Sequence, residues 1–207
     1  MIHNKIRLFF ILLFISAASA CSDNAKLQPL KAGASILAFG DSLTYGTGTS
    51  KNKAYPAVLQ TLINYRVINA GVPGEISKDG LARLPRLIKR YHPDIIIICH
   101  GGNDILRKLD LSITENNIQQ MIDLARNNDS EVILIGVPEF GLFLDSPPLY
   151  LALATKNKVP IENNILGDIL GSNQLKSDQI HPNDKGYQIL AESIESLLLL
   201  SGAIKKQ

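Results

Sequence analysis

The sequence predicts an α/β fold, a single parallel sheet of five strands with helices on both faces. Three observations carry this prediction. Short apolar runs at 36–39, 95–99 and 132–137 have no charged interruption, as suits strands buried on both faces. Stretches with apolar residues at helical spacing lie between these runs. Strands and helices therefore alternate along the chain, and right-handed crossovers then bring the strand ends to one rim.

The chain has 207 residues, 45% of them hydrophobic and 19% charged, which suits one domain over 35–207. Residues 1–20 stand apart. Lys5 and Arg7 precede the eleven-residue apolar run Leu8 to Ala18. That run is shorter than the about 20 residues needed to span a bilayer, and it fits the core of a secretory signal. Ala18-Ser19-Ala20 suits general signal peptidase. Followed by Cys21, the same residues resemble a bacterial lipobox, whose cysteine becomes a lipidated N-terminus. Both outcomes, a lipid-anchored Cys21 or plain secretion, imply export. Without residues 1–20 the chain carries 19 basic and 19 acidic residues, so nothing in its charge points to nucleic acid. Residues 21–34, polar and holding Pro29 and Gly33, read as a tether.

The first strand, Ile36 to Phe39, ends at Gly40-Asp41-Ser42. A loop rich in Gly, Thr and Ser follows, Thr44 to Lys53. Ala54 to Asn64 reads as a helix through Val58, Leu59, Leu62 and Ile63. Tyr65 to Ala70 is the second strand, closed by Gly71. Ile76 to Tyr91 is an amphipathic helix in which Pro85 predicts a kink. His92-Pro93 ends it. Ile95 to Cys99 is the third strand, closed by Gly101-Gly102. Ile113 to Arg126 is a helix, Val132 to Val137 the fourth strand and Pro148 to Lys158 a helix. Val159 to Ile165 is a poorly patterned fifth strand. Asn183 to Leu200 is the last helix, with Asn183 or Asp184 as its N-cap.

Polar or glycine-rich sequence sits at four strand ends: Gly40 to Ser42, Gly71 to Gly74, Gly101 to Asp104, and beyond Pro138. Open α/β sheets bind ligands at that rim. Acyl transfer requires a nucleophile, a base, a group that orients the base, and donors for the oxyanion. Ser42 is the candidate nucleophile. Of the four histidines, His3 lies in the signal and His92 lies at the far end of a helix. His100 abuts a strand end, with no acid expected to orient its ring. His181 has Asp178 three residues before it in a turn, so Asp178 can hold Nδ1 and leave Nε2 for Ser42. Taken alone, each residue has a plainer reading: a turn serine, a loop histidine, turn glycines, and caps for Asn103 and Asp104. Backbone N–H groups of Ser42 and Gly74 and the side-chain amide of Asn103 are candidate oxyanion donors. Gly46 and Gly48 are each followed by Thr, so no phosphate loop is formed. Cys99 and His100, as strand neighbours, point to opposite faces and cannot act together.

Four blocks, in order, resemble the SGNH (GDSL) hydrolases: Phe39-Gly40-Asp41-Ser42-Leu43-Thr44, Asn69-Ala70-Gly71-Val72-Pro73-Gly74, Gly101-Gly102-Asn103-Asp104 and Asp178-Gln179-Ile180-His181-Pro182. The resemblance covers about Ser35 to Leu200. It is greatest to the bacterial thioesterase I, lysophospholipase and arylesterase subgroup, whose members are periplasmic. It implies a three-layer α/β/α sandwich of flavodoxin-like type and a Ser42–His181–Asp178 triad. It further implies an oxyanion hole of Ser42, Gly74 and Asn103, acyl ester or thioester substrates, and no metal or organic cofactor. The chain departs from the pattern in two places. Glu75-Ile76 replaces an acid followed by a small hydroxyl residue. The segment 139–148 carries apolar Leu142, Phe143 and Leu144, which read as a wall of an acyl pocket. Both departures bear on substrate preference. Two other functions suit the same blocks: removal of acetyl groups from carbohydrates, and a tethered binding lipoprotein without turnover.

Overall fold

A computed structural model describes residues 25–141 and 144–206. The signal, Cys21, Leu142 and Phe143 lie outside the described residues. Five parallel strands form one sheet: β1 (Ser35–Gly40), β2 (Arg66–Gly71), β3 (Ile95–Cys99), β4 (Glu131–Ile135) and β5 (Ile161–Glu162), in the order β2-β1-β3-β4-β5. The central strands are as apolar as their burial demands. Every residue of β1 and β3 is buried. Strand β2, at an edge, has no fully buried residue: Arg66 and Asn69 are exposed and the others half-buried.

The chain steps outward from β1 to β2, then returns across β1 to reach β3. Right-handed crossovers therefore send α2 (Tyr55–Ile63) to one face and α3 (Ser77–Tyr91) and α5 (Leu111–Arg126) to the other. Helix α2 packs against α8 (Asp184–Ser201) on the first face. Helix α3 packs against α5, and α5 against α6 (Pro148–Asn157), on the second. The expected three-layer sandwich is the one observed. Its strand order reverses between β1 and β3, and this reversal is where such sheets hold ligands.

Three short helices fall where the sequence reads as loop or strand: α1 (Ser42–Tyr45), α4 (Gly102–Leu106) and α7 (Ile165–Gly171). Each spans two turns or fewer, too short for an apolar period to emerge. Strand β5 is also shorter than the expected 159–165. The Glu162 carboxylate accepts the N–H groups of Asn164 and Ile165 and turns the chain into α7. Pro85 lies inside α3, which runs unbroken from Ser77 to Tyr91.

From residue 25 onward, the expected tether is part of the packed body. Leu27 is 5% exposed and its N–H donates to the Ser201 carbonyl at 3.0 Å. The N–H of Leu30 donates to the Ala203 carbonyl at 2.8 Å, and the Tyr65 hydroxyl donates to the Leu30 carbonyl. The polar composition of the stretch hides the two leucines that anchor it.

Candidate active site

Ser42 is the first residue of α1, directly beyond the carboxyl end of β1. Asp41 caps this helix, its carboxylate accepting the Leu43 N–H at 3.0 Å. The cap turns the chain sharply at the rim and leaves Ser42 half-buried. The Ser42 hydroxyl lies 3.0 Å from His181 Nε2.

His181 belongs to a loop closed on itself. Its carbonyl accepts the Ser177 N–H at 2.9 Å, and Lys176 bridges Pro182. Asp178 turns back within this loop. One carboxylate oxygen accepts the backbone N–H groups of Ile180 and His181, and the other lies 2.8 Å from His181 Nδ1. Burial pushes the Asp178 carboxyl up, but the hydrogen bonds from the His181 ring and from these N–H groups outweigh it. The carboxyl is held below the usual aspartate range. An ionised Asp178 accepts from Nδ1–H, so Nε2 carries the lone pair and the serine hydroxyl donates to it.

Two further bonds tie the loop after Ser42 to the start of α8, and so to the histidine loop. The Tyr187 hydroxyl donates to the Thr47 carbonyl at 2.8 Å, and the Thr49 hydroxyl donates to Asp184. Residues 139 positions apart in sequence are thereby held at bonding distance.

Gly74 and Asn103 follow β2 and β3 respectively. Gly74 has φ +78°, a conformation that side chains disfavour. Its carbonyl accepts a hydrogen bond from Arg107 at 2.8 Å. The Asn103 amide donates to the buried Asp41 carboxylate at 3.2 Å and to the Glu75 carbonyl at 3.1 Å. Asp41 is 1% exposed, and burial pushes its carboxyl up against the opposing pull of His100 and the Leu43 N–H. Asp104 caps α3 from outside that helix. Its carboxylate accepts the N–H and hydroxyl of Ser77 at 2.8 and 2.6 Å, and the Thr114 hydroxyl at 3.3 Å. Asn117 donates to the same Ser77 hydroxyl.

Two sequence expectations need correction here. An acid does hold His100: its Nε2 lies 3.1 Å from Glu75 Oε2, and the ring is fully buried. Glu75 itself is 9% exposed and turned inward, so it does not face a substrate. A glutamate after a glycine turn has the local look of a surface residue, and only the fold shows its burial. The other expected non-participants lie where they were placed. His92 is exposed at the end of α3, and Cys99 is a buried free thiol whose ionisation burial opposes. Leu144 rests against α7, where a Cβ built at Gly167 would lie 2.2 Å from its carbonyl oxygen. Among the described residues no cluster of His, Cys, Asp or Glu could hold a metal ion, and no helix is long and apolar enough to cross a membrane.

The profile of the GDSL-like lipase/acylhydrolase family matches residues 38–189. The chain is 30% identical to esterase TesA of Pseudomonas aeruginosa over 85% of its own length and 93% of that protein's. It is 29% identical to thioesterase 1/protease 1/lysophospholipase L1 of Escherichia coli strain K12, over 89% and 86%. A crystal structure of TesA superposes with a TM-score of 0.73 at 28% identity, covering 81% of this chain and 99% of that one.

Proposed function

The chain belongs to the GDSL-like lipase/acylhydrolase family and is an ester hydrolase, and we propose that it cleaves acyl esters and thioesters through a serine triad and an acyl-enzyme. The observation that carries this reading is the unbroken chain from Ser42 Oγ to His181 Nε2 (3.0 Å) and from His181 Nδ1 to Asp178 (2.8 Å).

In this mechanism His181 Nε2 takes the Ser42 proton as Oγ attacks the substrate carbonyl carbon. Asp178 holds the ring in the productive tautomer and stabilises the imidazolium. The tetrahedral oxyanion receives hydrogen bonds from the N–H groups of Ser42 and Gly74 and from the Asn103 amide, which shares with it the hydrogen directed at Asp41. His181 returns the proton to the departing alcohol or thiol. Water enters, loses a proton to His181 and attacks the acyl-enzyme, and the acid leaves as Ser42 regains its proton. The names of the relatives, an esterase and a thioesterase/lysophospholipase, support acyl substrates with either leaving group.

The signal pattern and Cys21 support export to the periplasm, with the lipidated cysteine as an anchor. The mass of the mature N-terminus separates a lipidated cysteine from a plain one. The mechanism is tested with p-nitrophenyl butyrate and a folded Ser42→Ala variant. Turnover should fall by at least a thousand-fold. Turnover within ten-fold of the parent would refute the serine reading.

A further inference from the structure

A buried charged cluster lies directly behind the candidate oxyanion site, and the triad does not use it. Glu75, the residue after Gly74, turns its carboxylate into the protein. Arg83 of α3 grips that carboxylate with two bonds, at 2.8 and 2.6 Å, and donates a third to the Ala70 carbonyl at the end of β2. The Arg83 guanidinium also lies over the Phe39 ring of β1, 4.6 Å from its centroid. His100, at the end of β3, completes the cluster from below with its Nε2 at 3.1 Å. Its ring meets that of Phe39 at 5.3 Å, and it abuts α3 so closely that a Cβ at Gly80 would lie 2.3 Å from Nε2.

This arrangement costs stability that a simpler core would not lose. Burying a carboxylate is unfavourable unless it is fully paired. His100 Nδ1 is buried with no partner among the described residues. A hydrophobic residue at 75 would avoid the first penalty, so a return is to be sought in what Glu75 holds. Its own carbonyl accepts the Asn103 amide at 3.1 Å, and Asp41 holds that amide from the other side at 3.2 Å. Its neighbour Gly74 is clasped from outside by Arg107. The residue next to one candidate donor, and the acceptor that aims another, are thus pinned by the ends of three strands and by α3.

We propose that Glu75 is a positioning residue, clamped by Arg83 and His100, that holds Gly74 and the Asn103 amide in the geometry the oxyanion requires. The role rests on the serine mechanism proposed above. Donors aimed before the reaction stabilise the transition state without reorganisation, so a small misalignment reduces kcat and leaves ground-state binding intact. Shape is conserved in Glu75→Gln, but the charge that holds the fork of Arg83 is lost.

The test is steady-state kinetics on p-nitrophenyl butyrate for Glu75→Gln and Arg83→Gln, each alone and combined with Asn103→Ala, with melting curves to establish folding. Glu75→Gln should lower kcat by about ten- to a hundred-fold, less than the hundred- to thousand-fold typical of losing a donor outright. KM should stay within two-fold. In the Asn103→Ala background the same substitution should cost at least three-fold less in kcat than in the parent, because one of the two groups it aims is gone. Arg83→Gln should act in the same direction, and it carries the test if Glu75→Gln does not fold. A folded variant with kcat within three-fold of the parent overturns the proposal. So does an equal loss in both backgrounds, as a merely structural role would give, and so does a loss expressed in KM. Persistent turnover in Ser42→Ala would instead refute the serine mechanism, whatever the Glu75 variants do.

Discussion

Asp178 does two jobs with one carboxylate. One oxygen closes its own turn by accepting two backbone N–H groups, and both oxygens lie within 3.1 Å of the His181 ring. Asparagine separates these jobs. Its carbonyl oxygen can keep the turn, while its amide presents hydrogens to Nδ1. Nδ1 must then accept, which moves the ring proton to Nε2, where the lone pair is needed. Asp178→Asn should therefore fold normally and lose about a thousand- to ten-thousand-fold in kcat, the scale of a wrong tautomer. A loss under ten-fold would mean that His181 is oriented by something else. At this scale the candidate triad is legible in the sequence because its members lie inside short, ordered blocks, and Asp178 and His181 are neighbours in one turn. Glu75 is not legible. Its partners Arg83 and His100 come from a helix and a strand end, and Arg83 reads as one more charge on the solvent face of an amphipathic helix. A signal exists in principle: an Arg eight residues after the Glu, directly before Leu84, which with Ile88 forms the buried face of the helix. Nothing in a single sequence raises it above a surface pair.

At the scale of elements, the site depends on how α3, α4 and α5 are joined behind it. The first N–H of α3 has no acceptor in its own helix, and Ile76 at the N-cap offers no side-chain oxygen. Asp104 of α4 supplies one, and it binds Ser77 and Thr114 as well. Asp104→Ala would leave the buried Ser77 N–H and two buried hydroxyls without that acceptor. Each unsatisfied buried group costs about 1–3 kcal/mol, so a loss of about 3 kcal/mol is expected. For a chain of this size that lowers Tm by about 6–12 °C. Thermal unfolding followed by circular dichroism reads it directly, and an unchanged Tm would mean that water replaces the carboxylate without cost. The sequence marks Asp104 as a cap beside Asn103, but the helix it caps lies 27 residues earlier. Caps are legible when they sit next to their own helix. One that reaches across from another element is visible only in three dimensions. The same reasoning covers α1, α4 and α7, whose few residues carry no period to read.

For the whole molecule, the parallel sheet separates what stabilises from what reacts. The alternation of apolar runs and helices made this sheet legible, because continuous Ile, Leu and Val runs have few other ways to be buried. The strap before β1 was not legible, because its composition is polar and only its contacts tie it down. It crosses the amino edge, while Ser42, Gly74 and Asn103 lie beyond the carboxyl ends of β1, β2 and β3. A six-residue strand places about 20 Å between those edges. Leu27 is the strap residue buried in the core, beside the bonds to Ser201 and Ala203. Leu27→Ala removes most of that apolar side chain and leaves a gap at the end of α8, costing about 2–3 kcal/mol. Tm should fall by about 4–12 °C. This loosening reaches the loops of the candidate site only through the sheet, whose fully buried central strands have little room to deform, and through α8, whose other end lies about five turns away. At a temperature well below its melting point the variant should therefore keep kcat and KM on p-nitrophenyl butyrate within two-fold of the parent. A large fall in kcat with Tm unchanged would reverse the argument, since it would mean that the amino edge governs the geometry of the rim through the strands or through α8.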